Sequence, residues 1–295
     1  MSFTSLQTLV DDALDIGASI SELVVTIECE DYGVTAESII KRVKKTLEVM
    51  RASCRKHLDE PSRSLSGITG GYAVLMNEYL KNNQPLSGEV PSKAAMYALS
   101  ASEVNASMGV IAAAPTAGSC GILPGVLFAV AEKLGSSEDD MVRALLTATG
   151  IGAVIATRAT ISGAEGGCQA ECGAAAAIAA AAACELRGAS PDICVNASAL
   201  ALKNSLGLAC DPVCGLVEVP CVKRNAIFTS VAITAADMAL AGIKSVIPAD
   251  EVIDAMMFIG AEMPVSIRES GTGGLAATET GKRLRAELSE TMEDL

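Results

Sequence analysis

Gly166-Gly-Cys-Gln-Ala-Glu-Cys-Gly-Ala-Ala-Ala-Ala-Ile-Ala-Ala-Ala-Ala-Ala-Cys184 decides how the rest of the chain is read. From Gly173 to Cys184 it is almost pure alanine, the strongest helix former. Side chains this small let neighbouring helices pack backbone close to backbone. Gly188 stops the helix. The run is too short to span a bilayer, and it is closed by Glu171 on one side and by Glu185 and Arg187 on the other. The next most apolar stretch, residues 145–161, contains Arg158. Aromatics make up 3% of the chain and Trp is absent, while half of the residues are apolar. Together these features predict an all-α fold: one mostly helical domain over residues 1–295, with Gly/Pro-rich active-site loops.

The same reading extends outward in both directions. Apolar residues at Ile39, Val43, Leu47, Met50, Cys54 and Leu58 fall in steps of three and four, on one helix face. Pro61 ends that segment. Helices are expected over 73–80, 92–113, 124–133, 194–206, from Cys221 to about Gly242, and over 250–260, with a short charged helix at the end. Ser137 reads as an N-cap, with Glu138, Asp139 and Asp140 at the positive end of the following helix. The one segment with any strand character is 216–219.

The formal net charge of −13 excludes attraction to phosphate backbones, and no basic stripe interleaved with aromatics exists. Neither nucleic acid nor membrane is an expected partner. No basic region followed by an apolar run opens the chain, so a cytoplasmic location is expected. There the ten cysteines are core residues, nucleophiles or metal ligands rather than disulfides.

Their surroundings divide them. Cys29, Cys54, Cys184 and Cys194 sit inside helical patterns and read as small core residues. Cys168, Cys172, Cys210, Cys214 and Cys221 lie in or beside irregular Gly/Pro segments, and suggest a thiolate-bound metal. Their spacings match neither zinc ribbons nor ferredoxins. Three thiolates would leave a Lewis-acidic metal open to a substrate oxygen. A closed tetrad of Cys168, Cys172, Cys210 and Cys214 would instead be a non-catalytic zinc scaffold.

Three loops of small residues, 66–71, 115–121 and 163–167, offer backbone N–H groups beside helix starts, which suits a carboxylate or simply a tight turn. The lone histidine, His57, ends an amphipathic helix, where a cation is welcome.

Ser66-Gly-Ile-Thr-Gly-Gly71, Pro115-Thr-Ala-Gly-Ser119, Gly166-Gly-Cys-Gln-Ala-Glu171, Gly207-Leu-Ala-Cys-Asp-Pro-Val213 and Val219-Pro-Cys-Val-Lys-Arg-Asn225 resemble the signatures of the α chain of iron–sulfur L-serine dehydratases. The resemblance continues through Ile247-Pro-Ala-Asp-Glu-Val-Ile-Asp254 and Gly271-Thr-Gly-Gly-Leu-Ala276, over almost the whole chain. It implies a [4Fe–4S] cluster on Cys168, Cys210 and Cys221, and deamination of L-serine to pyruvate and ammonia. A related lyase acting on threonine or cysteine is the neighbouring reading. Substrate contacts are expected from Ser66, Gly67, Thr69, Gly70 and Gly71, and from Thr116, Ala117, Gly118 and Ser119. The resemblance places the acid–base histidine in a Ser-Ser-His-Thr motif of a β part that this sequence lacks. It therefore implies a separate serine dehydratase β chain, in a heterodimer or a dimer of heterodimers. Some members of that family also place a C-terminal cysteine on the fourth iron. The end of this sequence, Glu290-Thr-Met-Glu-Asp-Leu295, carries none.

Overall fold

A computed structural model describes residues 3–293. Thirteen α-helices run through them: α1 Leu6–Asp15, α2 Ile20–Tyr32, α3 Ala36–Lys56, α4 Tyr72–Asn82, α5 Glu89–Ala106, α6 Ile122–Leu134, α7 Glu138–Arg158, α8 Gly163–Gly166, α9 Ala174–Leu186, α10 Pro191–Lys203, α11 Cys221–Leu240, α12 Ala249–Glu262 and α13 Glu279–Glu293. Among the described residues the only bridge pairing is an isolated one, Cys210 with Arg268. The fold is all-α.

The alanine helix α9 is the axis of the molecule. Every residue from Ala174 to Cys184 is buried, and α6, α7, α10 and α11 pack around it. A second tier adds α5 against α6 and α11, α3 and α4 against α5, and α2 against α7. Segments Ala117–Leu134 and Glu138–Arg158 are long and apolar enough to cross a membrane, but 72% and 56% of them are buried inside the body. Burial against other helices accounts for their apolarity.

Local signals set the ends. Ser19 and Ser137 form capping boxes with Glu22 and Asp140, and Gly33 and Gly135 close their helices in the left-handed region. The predicted face of α3 is buried at Ile39, Leu47, Met50 and Cys54. Two expectations need correction. The helix expected over 92–113 stops at Ala106: the Gly109 amide reaches back to the Val104 carbonyl (2.8 Å), Met108 turns left-handed, and the Ser107 hydroxyl bonds the Glu103 and Val104 carbonyls. The apolar run after it lies outside the helix because that cap is complete. Residues 216–219 are not a strand. They form turns, with the Glu218 amide on the Leu216 carbonyl and Val213 paired to Val219.

A half-buried carboxylate lies at the edge of the packing. Glu185, on α9, accepts the Thr147 hydroxyl (3.0 Å) and the Ser21 hydroxyl (3.2 Å). Burial raises its affinity for a proton, and the two hydroxyls oppose this. A raised carboxylate carries no penalty below the ordinary carboxylate range, where it is protonated folded and unfolded alike. The penalty grows as pH rises toward its folded value. Glu185→Gln is therefore expected to stabilise the fold at neutral pH by about 1 kcal/mol. The gain should vanish on acidification through the carboxylate range. Thermal melts across pH check this, and equal melting points at pH 7 would disprove it.

Candidate active site

The cysteine segment enters α9 through a π turn. Between Gln169 and Gly173 the chain makes one wide turn, in which the Ala174 amide reaches back to Gln169. Such turns are common at functional sites. Cys168 stands just before it. Gln169 is fully buried and ties three segments: its amide bonds the Leu208 carbonyl, its side chain donates to Met256 (2.8 Å), and its carbonyl oxygen accepts the Gly207 amide (2.9 Å). This brings the Cys210 loop over Cys168. On its far side Cys210 is pinned to residues 267–269, its amide on the Ile267 carbonyl and its carbonyl accepting from Glu269.

Cys168 lies within hydrogen-bonding reach of both Cys172 and Cys210. Cys221, the first residue of α11, faces the same group and feels the charge of Cys168. Arg224, one turn along α11, points back at Cys168. Its guanidinium also bonds the Ala209 carbonyl (2.9 Å) and Asp211 (3.4 Å), and Asp211 in turn accepts the Leu275 amide (2.8 Å). Hydrogen bonds from Cys172 and Cys210, aided by the Arg224 charge and opposed by burial, hold the Cys168 thiol well below the usual thiol range. The hydrogen bond to Cys168, with burial and its charge, raises Cys172 and Cys210 in turn, and burial foremost pushes Cys221 up to about 12.

Cys214 is elsewhere. It is partly exposed, left-handed at φ 60, and its charged neighbours are Arg285 and Glu218. The structure gathers Cys168, Cys172, Cys210 and Cys221, not the tetrad with Cys214. Cys54, Cys184 and Cys194 are fully buried in the helical core, while Cys29 packs at its edge.

Both expected carboxylate loops converge on the start of α11. In the first, the Ser66 and Thr69 hydroxyls donate to one oxygen of Glu218 (2.7 and 2.9 Å), three residues before Cys221. Glu103 accepts the Tyr72 amide at the start of α4. The Gly70 and Gly71 amides have no partner among the described residues. In the second, Asn225 donates to the Gly118 carbonyl (2.7 Å) and the Cys221 carbonyl (3.0 Å), and accepts the Gly121 amide (3.0 Å). The Ala117 and Gly118 amides are likewise without partners, and the Thr116 hydroxyl contacts Ser119 and donates to Glu171 (2.9 Å). Gly67 takes the left-handed region at φ 73 to turn the first loop.

Glu171 is the residue that sequence reasoning missed, although it lies inside a quoted motif. Burial foremost, then the negative charge of Cys168, push its carboxyl up to about 7, against the Thr116 hydrogen bond. Glu218, Glu103, Arg224 and Asn225 were missed for the same reason: a polar residue shows its value only once its burial is known.

His57 caps α3, its Nε2 buried and without a partner among the described residues. Burial lowers its pKa, so the expected helix-end cation is disfavoured. A catalytic base would cost on the order of a hundredfold or more on removal. His57→Ala is expected to leave turnover close to wild type, as steady-state rates will show.

Thiols, a carboxylate and a guanidinium thus converge beside two amide-lined loops of a helical protein, a donor set consistent with a metal cofactor. The chain belongs to the serine dehydratase alpha chain family, whose sequence model matches residues 15–276. It is 49% identical to a probable L-serine dehydratase alpha chain of Bacillus subtilis over 97% of this chain and 95% of that one. It is 42% identical to the L-serine dehydratase alpha chain of Peptoniphilus asaccharolyticus, over 95% and 96%. An L-serine dehydratase of Mycobacterium tuberculosis is 48% identical over 61% of this chain, which covers 40% of that protein.

Proposed function

We propose that this chain is the cofactor-bearing α chain of a cytoplasmic lyase that deaminates L-serine to pyruvate and ammonia, its 295 residues acting as one catalytic domain. The observation that carries the reading is the convergence of Cys168, Cys210 and Cys221 with two amide-lined loops at the start of α11. The names of the two full-length relatives support the substrate.

The donor set fits a [4Fe–4S] cluster. The thiols are buried, unpaired by disulfides, and already gathered around one thiolate with a guanidinium beside it. Cys168, Cys210 and Cys221 would hold the cluster, which when bound supplies a Lewis-acidic iron for the substrate hydroxyl. The unpartnered amides of Gly70, Gly71, Ala117 and Gly118 receive the substrate carboxylate, and two loops closing on it exclude water. Within the first loop, Ser66 and Thr69 act on position rather than on substrate, since Glu218 already holds their hydroxyls. Asn225 keeps the second loop in register with Cys221. The group that takes the Cα proton comes from a serine dehydratase β chain, because the sequence has no Ser-Ser-His-Thr segment and burial disfavours charge on its one histidine, His57. Cys214, standing outside the thiol group, weighs against the zinc scaffold.

The test is anaerobic reconstitution with iron and sulfide, followed by a pyruvate assay with and without a β chain. The expected protein is brown and holds about four irons. It is nearly inactive alone and active in the complex. Turnover of serine by an iron-free protein would overturn the proposal.

A further inference from the structure

Two glycines, a hydroxyl and a thiol enclose the Glu171 carboxylate. A Cβ at Gly118 would lie 3.1 Å from Oε1, and one at Gly163 would lie 2.7 Å from Oε2 and 3.1 Å from the Cys210 sulfur. Either side chain would push the carboxylate or the thiol out of place, so both positions are kept clear by lacking one. Thr116 fixes Oε1, and Oε2 lies 3.9 Å from Cys210 Sγ. Glu171, Cys210 and Glu269 each offer a ligand atom, all within 4.8 Å of one another. No lysine or arginine forms an ion pair with Glu171 among the described residues. A carboxylate largely withdrawn from water without a cation is costly. Here the carboxylate is aimed at thiols that suit a metal, and a metal ion would supply the missing positive charge.

We propose that Glu171 is an oxygen ligand to the iron–sulfur group when substrate is absent, completing the set begun by Cys168, Cys210 and Cys221. This rests on the cluster reading above. The step is a ligand exchange. With the cluster bound, the Glu171 carboxylate would supply the fourth donor oxygen and would give way to the substrate hydroxyl while staying hydrogen-bonded to Thr116. No electron changes owner, and the proton the carboxyl carries when free is released as it binds and regained as it leaves. Soft thiolates are the durable ligands of such a group, and a carboxylate oxygen is the harder and more exchangeable one. The design leaves three fixed positions and one that substrate can claim.

The test compares wild type, Glu171→Gln, Glu171→Asp and Cys172→Ala after identical anaerobic reconstitution with iron and sulfide. Each is treated with one equivalent of ferricyanide, and loss of the fourth iron is followed by iron content and by the electron paramagnetic resonance of the three-iron product. Glu171→Gln is expected to lose that iron about tenfold faster than wild type, as ligand-sphere changes typically do to metal retention. Glu171→Asp should fall between, and saturating L-serine should slow the loss in all. Circular dichroism verifies folding, and Glu171→Asp carries the comparison if the glutamine variant unfolds. Equal rates in wild type and Glu171→Gln overturn the inference. Fast loss confined to Cys172→Ala overturns it too, by making Cys172 the fourth ligand. A glutamine variant that retains its iron yet fails to turn over with the β chain present, where wild type turns over, moves Glu171 to proton transfer, and also overturns it. A wild-type chain that takes up neither iron nor sulfide is a distinct result, which defeats the proposed function itself.

Discussion

Cys221→Ser is expected to abolish the iron–sulfur absorbance, whereas Cys214→Ala keeps it. Cys221 opens α11 and faces the thiolate at Cys168, while Cys214 sits in a separate left-handed turn beside Arg285. Serine in place of a thiolate gives a hard, poorly matched donor. The variant should hold less than one iron per chain, against about four in wild type. Turnover should fall to background with it. Cys172→Ala is the informative intermediate. Cys172 touches Cys168 but leaves the Cys168, Cys210 and Cys221 set whole, so its variant should retain the cluster. Iron content and visible absorbance after parallel reconstitution decide the matter. An intact spectrum in Cys221→Ser, with bleaching in Cys172→Ala, would exchange the roles of the two residues.

A pair of valines separates loop geometry from loop chemistry. Gly70 adopts φ 143, and a Cβ there would lie 2.1 Å from the Ser62 carbonyl. Backbone meets backbone at that point, and neither can yield. Gly70→Val is expected to be a folding variant, costing about 3 kcal/mol or more through strain and overlap. Gly118 has an ordinary φ, and its missing Cβ leaves room only for the Glu171 carboxylate. Gly118→Val should fold near normally, yet shift the carboxylate and the loop amides by roughly an ångström. Misplacement on that scale costs on the order of a hundredfold in rate. Melting curves and steady-state kinetics together distinguish the two. A Gly118→Val enzyme with wild-type kinetics would return that loop to the class of simple tight turns.

The helical architecture was readable because its signals are local. Apolar steps along α3, the Ser137 cap and the alanines of α9 each declare a helix within a few residues. The cysteine segments were readable because loop-borne cysteines are rare enough to stand out. What escaped was the set of polar residues that join one segment to another. Glu218 reaches Ser66 across 152 positions, and Asn225 reaches Gly118 across 107. Nothing local marks such a partner, and an acidic residue in a loop usually faces water. Glu171 was hidden differently: it follows Cys168 by three residues, and only the folded chain shows that Thr116 and Cys210 come to meet it.

The wide turn over Gln169–Gly173 acts as a phase adjuster between two parts of the molecule. An α-helix advances about 100° for each residue. One residue of slack in this turn therefore sets the azimuth at which Cys168 leaves the axis of α9. The alanine face of α9 is fixed by four surrounding helices, and the cysteine azimuth is fixed by Cys210 and Arg224. A regular helix could not satisfy both at this chain length. Wound as regular α-helix at unchanged length, the same residues would carry Cys168 about 100° around the axis of α9, away from Cys210 and Arg224.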